Sequence, residues 1–162
     1  MGGKSKSGLV DQSDLKILNH VRRNARETLT RICKETRIPI SSVFDRLKRL
    51  EAIGVIQRYT SLLDMAKIGI RVQVVVLLKI PDAMKKAFEK WLKEHSQVNT
   101  LVRVNGDWDF MAEALFKNIH SLEAFTEQLA EEFKGAQCSV QYILEDLKRE
   151  GFVPEVHDPK EE

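Results

Sequence analysis

Residues 38–59, IPISSVFDRLKRLEAIGVIQRY, decide how this chain is read. Val43, Leu47 and Leu50 recur at spacings of four and three, so they share one face of a helix. At roughly 100° per residue, the opposite face carries Ser41, Ser42, Asp45, Lys48 and Arg49. Short polar groups fill the first turn and cations the later ones. That layout suits a helix entering a DNA major groove, with hydrogen-bonding side chains at base edges and cations at phosphates. Gly54 is placed to end the helix, and Val55, Ile56, Arg58 and Tyr59 to begin the strand of a wing. A polar helix face is also what any solvated helix shows, so the charge distribution must choose between the two readings.

It favours nucleic acid. The chain carries +2 overall, but residues 1–60 hold 13 Lys/Arg against 6 Asp/Glu, a net of +7. The other 102 of the 162 residues hold 13 against 18, a net of −5. A basic half points to a polyanion and an acidic half to some other partner. The 43% hydrophobic and 31% charged composition describes a folded protein. No apolar run reaches the ~18 residues of a membrane span, and MGGKSKSG has no apolar stretch after its lysines, so neither a membrane partner nor a secretory signal is expected. A cytoplasmic location follows as an expectation. Cys33 and Cys138, far apart in apolar-periodic segments, are expected as buried small hydrophobes. His20, His95, His120 and His157 lack metal-ligand spacing. No Ser-His-Asp set, carboxylate pair or phosphate loop is visible, so no enzyme and no cofactor are expected.

Outward from the opening stretch, the elements sort into two groups. Asp11 caps a first helix to about Arg23, with Asp14 near its positive end and Ile17, Leu18 and Val21 inward. Thr28 caps a second helix to about Thr36, with Leu29, Ile32 and Cys33 inward. Arg37-Ile38-Pro39 leads into the third helix. Three short helices with short breaks make a helix-turn-helix. After a linker with one helical turn, residues 71–80, RVQVVVLLKI, form a strand. A helix opened by Pro81-Asp82 has the stripe Ala83, Ala87, Trp91 and Leu92, with Phe88 also at core spacing. Val98, Thr100, Val102 and Val104 alternate as one face of a strand. Asn105-Gly106 signals a turn, and residues 110–116 return. A helix over 121–133, with Phe125 and Phe133 in its core, ends before Gly135, and a last strand covers 138–144. The order βαββαβ folds as an antiparallel sheet with two helices on one face. The fold class is α+β: an N-terminal winged helix-turn-helix plus a C-terminal ferredoxin-like sheet domain. The divisions are 1–9, a flexible N-terminus; 10–62, the DNA-binding domain; 63–70, a linker; 71–149, the sheet domain; and 150–162, a charged, frayed tail.

VDQSDLKILNHV, SSVFDRLKRLEAIGVIQRY and VNGDWDF together resemble the Lrp/AsnC (feast/famine) transcription regulators of bacteria and archaea, over roughly residues 10–148. The resemblance implies a pseudo-palindromic double-stranded DNA operator, dimers assembling further into rings of eight, and an amino-acid effector bound by the sheet domain. The resemblance makes Gly106, Asp107 and Asp109 the effector contacts at the hairpin; a plain Asn-Gly turn with solvated aspartates, in a regulator without an effector, stays open beside it. Ser139 and Gln141 stand where the family often has two Thr. Arg37 and Arg58 stand where the family often has Gly, and Pro39 where it often has Ser. On the DNA side Ser41, Ser42 and Asp45 are expected at bases, and Lys48, Arg49 and Arg58 at phosphates. Arg46 borders the apolar stripe, so a phosphate contact and a bridge to a carboxylate such as Asp14 both stay open. Two other functions remain open: a sequence-neutral DNA-compacting protein, and a small-molecule sensor acting by protein contact.

Overall fold

The computed structural model describes residues 9–156. The expected flexible stretch 1–9 (apart from Leu9) and the end of the tail, with His157 and Pro159, lie outside the described residues. The described residues divide into two compact units: residues 9–62 together with 150–156, and residues 63–149.

The first unit is built on α1 (Gln12–Arg23), α2 (Leu29–Thr36) and α3 (Ile40–Ala52). Asp11 caps α1 with a full capping box, its carboxylate accepting from the Asp14 amide while the Asp14 carboxylate accepts from the Asp11 amide. Thr28 caps α2. Pro39 begins α3 with main chain alone: it makes no side-chain cap, and its carbonyl accepts from Val43 at 3.0 Å. Ile17, Ile32, Val43 and Leu47 form the shared core. Arg37 takes the left-handed conformation at φ 59° between α2 and α3, at a cost of about 1 kcal/mol relative to glycine.

The strand expected after Gly54 does not form, and residues 55–64 lie outside any ladder. The Val55 and Ile56 amides instead turn back onto the Leu50 carbonyl at 2.9 and 3.1 Å, closing the helix end. The described part of the tail, through residue 156, has no regular secondary structure. Arg22 pairs with Glu150 and donates from Nε to the Phe152 carbonyl at 3.3 Å.

The second unit starts with a single 3-10 turn, Ala66–Ile68. It then contains β1 (Val72–Lys79), α4 (Lys85–Glu94), β2 (Val98–Arg103), β3 (Phe110–Phe116), α5 (Ile119–Glu132) and β4 (Gln137–Tyr142). The sheet order is β2-β3-β1-β4, antiparallel throughout. Val74, Val76 and Leu78 of β1 face Phe88, Leu92, Phe125 and Leu129 in one core. Asn118, with Ser121, forms the capping box that starts α5, two residues before the expected start.

Three expectations are corrected here. Ala83 and Ala87 are exposed, and the inward residues are Met84, just before α4, and Phe88, Trp91 and Leu92 within it. A 3-10 turn over Asp82–Met84 sets the helix one residue out of the expected phase. In β2 the register shifts between Val98 and Thr100. That irregularity sends Val98 and Leu101 to the core and leaves Thr100 and Val102 on the other face. Cys138 is exposed on edge strand β4 and Cys33 only partly buried. Trp108, in the loop between β2 and β3, is half-buried.

Candidate nucleic-acid interface and effector positions

Burial of Val43, Leu47 and Leu50 fixes the roll of α3. Ser41, Asp45 and Lys48 are exposed on the opposite side, and Ser42 is half-buried at its margin. Ser41 and Asp45 make no hydrogen bond to another described side chain, so their polar atoms are open to solvent or a ligand. Lys48 lies with Nζ 4.7 Å from the centre of the Phe44 ring. Arg58 is exposed and has no ion pair among the described residues. Tyr59 donates its hydroxyl to Glu51 at 2.7 Å. Burial and that carboxylate push the tyrosine up to about 12.

Two of the expected contact residues are tied inward. Arg46 Nη1 donates to Asp11 and to Asp14, each at 2.7 Å. Arg49 pairs with Asp14 and donates to the Leu9 carbonyl at 3.1 Å. Asp14 is fully buried, the one buried charged side chain among the described residues. Burial alone would raise its carboxyl, but the Arg49, Asp11-amide and Arg46 hydrogen bonds outweigh it and hold the group below the ordinary carboxylate range. A cleft of about 450 Å³ opens where Asp11 and Asp14 meet Asp45, Arg46 and Arg49. The three carboxylates there outnumber the two guanidiniums, so this shoulder of α3 attracts phosphate less than Lys48 and Arg58 do.

The effector positions are scattered by comparison. Gly106 holds φ 94° in the exposed loop between β2 and β3, with Asp107 exposed beside it. Asp109 is bonded within its own unit. One of its oxygens accepts from the Ile80 amide at 2.8 Å and the other pairs with Lys85 Nζ at 2.7 Å. Those bonds, the amide first, hold its carboxyl low. Ser139 and Gln141 lie across from Leu77 and Val75 on β4. Since β1 separates β4 from β3, about 10 Å lies between them and β3, and one chain does not gather these positions into one site.

Ile40 and Phe44 were not singled out by sequence reasoning, yet they are 49% and 45% exposed on α3. Their signal was present: two large apolar side chains outside the Val43, Leu47 and Leu50 stripe. No metal-binding group of three or more His, Cys, Asp or Glu occurs among the described residues. No helix there is long and apolar enough to cross a membrane.

Residues 10–57 match a family model described as winged helix-turn-helix DNA-binding, and residues 73–152 one described as Lrp/AsnC ligand binding domain. The glutamate uptake regulatory protein of Zymomonas mobilis is 26% identical over 148 residues, covering 90% of each chain. The transcriptional regulator Ptr1 of Methanocaldococcus jannaschii is 29% identical, covering 90% of this chain and 99% of its own. A Neisseria meningitidis transcriptional regulator solved with L-Met superposes with a TM-score of 0.82 at 22% identity, covering 90% of this chain and 96% of that one. At that identity the superposition establishes the fold.

Proposed function

The chain belongs to the Lrp/AsnC family of transcriptional regulators, a DNA-binding helix-turn-helix joined to a ligand-binding domain, and from that premise we propose how this member works. It binds duplex DNA in the cytoplasm as a regulator, acting by binding and not by catalysis. Helix α3 lies in the major groove with Ser41, Ser42 and Asp45 at base edges. Lys48, Arg49 and Arg58 meet phosphates, and Arg46 braces α3 through Asp14. The observation that carries this reading is the outer face of α3, where Ser41, Asp45 and Lys48 stand exposed opposite a fully used apolar stripe.

One recognition helix covers too little DNA for tight specificity, so two copies read two half-sites of a pseudo-palindrome. The sheet face away from α4 and α5 suits that pairing. It carries Val75, Leu77, Met111, Leu115 and Val102 among Gln73, Thr100 and Glu113, and Glu113 pairs with Arg149 at 2.6 Å. Assembly beyond the dimer, toward eight copies, belongs to the same proposal. An amino acid is the effector: main-chain amides at Gly106 take its carboxylate and Asp107 its ammonium. Ser139 and Gln141 join from a second copy, because one chain holds them apart. Effector binding then changes the spacing of the two DNA-reading heads.

The test is binding to the gene's own upstream region against random duplex, across a salt series, with and without a pool of amino acids. A specificity ratio of ~10³ or more that shifts with one amino acid supports the proposal. Equal affinity for both duplexes that vanishes with salt indicates a compacting protein. No DNA binding indicates a sensor acting by protein contact.

A further inference from the structure

We infer that Ile40 and Phe44 read thymine 5-methyl groups in the half-site, making them specificity-determining residues of α3. The inference rests on α3 being the helix that enters the groove. Ile40 is the first residue of α3 and Phe44 lies one turn on, at the N-terminal end that meets base edges in this class of DNA-binding unit. The core has no use for either. Val43 on one side of Phe44 is fully buried, while Phe44 itself is 45% exposed and Ile40 49%.

Each apolar residue is followed by a polar one, Ser41 after Ile40 and Asp45 after Phe44. The reading surface therefore alternates methyl-sized apolar contacts with hydrogen-bonding groups about 100° round the helix. Thymine shows that same pair of features in the major groove, an O4 acceptor beside its methyl, and cytosine shows an N4 donor suited to a carboxylate. Ser41 donates to O4 where Ile40 or Phe44 covers the methyl, and Asp45 accepts from a neighbouring cytosine.

A single exposed apolar side chain is ordinary. Here two lie on one stripe, and Lys48 carries its ammonium over the Phe44 ring. A cation beside the ring matches an anionic partner and disfavours a plain apolar protein surface, where its charge would be desolvated. Duplex DNA offers both a methyl and a wall of phosphates within that reach.

The test compares selection from two randomised duplex libraries, one made with thymidine and one with 2′-deoxyuridine in its place. Uridine keeps every hydrogen-bonding group and lacks only the methyl. The wild-type protein is expected to enrich thymine at fixed half-site positions in the first library and to lose that preference in the second. Affinity for the selected site falls about fourfold per methyl removed, the equivalent of one buried CH₂ group. Phe44→Ala is expected to select alike from both libraries, and Phe44→Leu to keep part of the methyl preference. The wild-type comparison stands whether or not either variant folds well. One motif drawn with equal affinity from both libraries overturns the methyl contact and leaves α3 as the reader. No enriched motif in either library overturns sequence-specific reading and this inference with it.

Discussion

Helix α3 and the β2–β3 loop were both read from sequence as places where charged side chains meet a ligand, and the structure treats them differently. On α3 the charges divide by angle. Asp45 and Lys48 stand outward, while Arg46 and Arg49, on the far shoulder, are held by Asp11 and Asp14. In the loop the charges divide by position along the chain. Asp107 is exposed, whereas Asp109, two residues on, pins the end of β1 to the start of α4 through Ile80 and Lys85. A helical site keeps its outward residues because the core dictates its roll. A loop site loses those that its own closure needs.

The sharpest test of this contrast is Asp14. Asp14→Asn removes the negative charge that Arg46 and Arg49 share and replaces one of the two oxygens accepting from them and from the Asp11 amide with an NH2 donor. We expect a loss of about 2–3 kcal/mol in urea unfolding, below the ~3–5 of a fully buried pair because both arginines reach water. The pH dependence fixes the cause. The folded carboxyl lies below its ordinary 3.8, so its stabilisation is complete above that pH and is lost as the pH falls through the lower, folded value. The difference between wild type and Asp14→Asn should be constant at neutral pH and close only in that acid range. A difference that already shrinks near neutrality would mean that something other than the buried carboxylate is at work.

The matching change in the second unit is Asp109→Ala. It frees the Ile80 amide and one partner of Lys85, but at a half-exposed place where water can replace both. About 1–2 kcal/mol of destabilisation is expected, with amide exchange of Ile80 accelerated and that of the Leu92 region unchanged. If Asp109→Ala abolished effector binding while leaving stability and Ile80 exchange intact, the contrast between the two regions would break. The aspartate would then be a ligand contact after all.

How much of this was visible beforehand follows from the same geometry. The spacing of Val43, Leu47 and Leu50 placed α3 to within a residue or two, and the Asp14–Arg46 bridge was one of two readings for that arginine. Asp14 lies at the helical spacing of Ile17, Leu18 and Val21, and a carboxylate on an apolar stripe needs a cation. The sheet was harder. The succession of its strands along the chain follows from β-branched runs and turn signals, but the phase of β2 does not. A register shift between Val98 and Thr100 is set by the partner strand, which no local pattern encodes. The missing wing strand has the same origin, since pairing partners decide whether extended chain becomes a ladder. Ser139 and Gln141 are separated from the loop by strand order, which is a property of the whole sheet. Asn118 failed to stand out because its cap bonds only matter once α5 is known to start at Ile119.

The smallest expected effects decide which cations belong to DNA and which to the fold. Arg58 is exposed and unpaired among the described residues, so Arg58→Ala should leave unfolding unchanged within about 0.5 kcal/mol. If it meets a phosphate, it should also lower the salt slope of DNA binding by about 1 on specific and random duplex alike. Arg49 sits between the two roles. It is 43% exposed yet bonded to Asp14 and to the Leu9 carbonyl. Arg49→Ala should therefore cost stability as well as affinity, and its salt-slope change should be smaller than that of Arg58→Ala, because part of its charge is already matched by Asp14. Equal slope changes for the two variants would show that DNA pulls Arg49 off its carboxylate on binding. The inward bond would then be a resting position, and Asp14 would compete with phosphate for the same guanidinium.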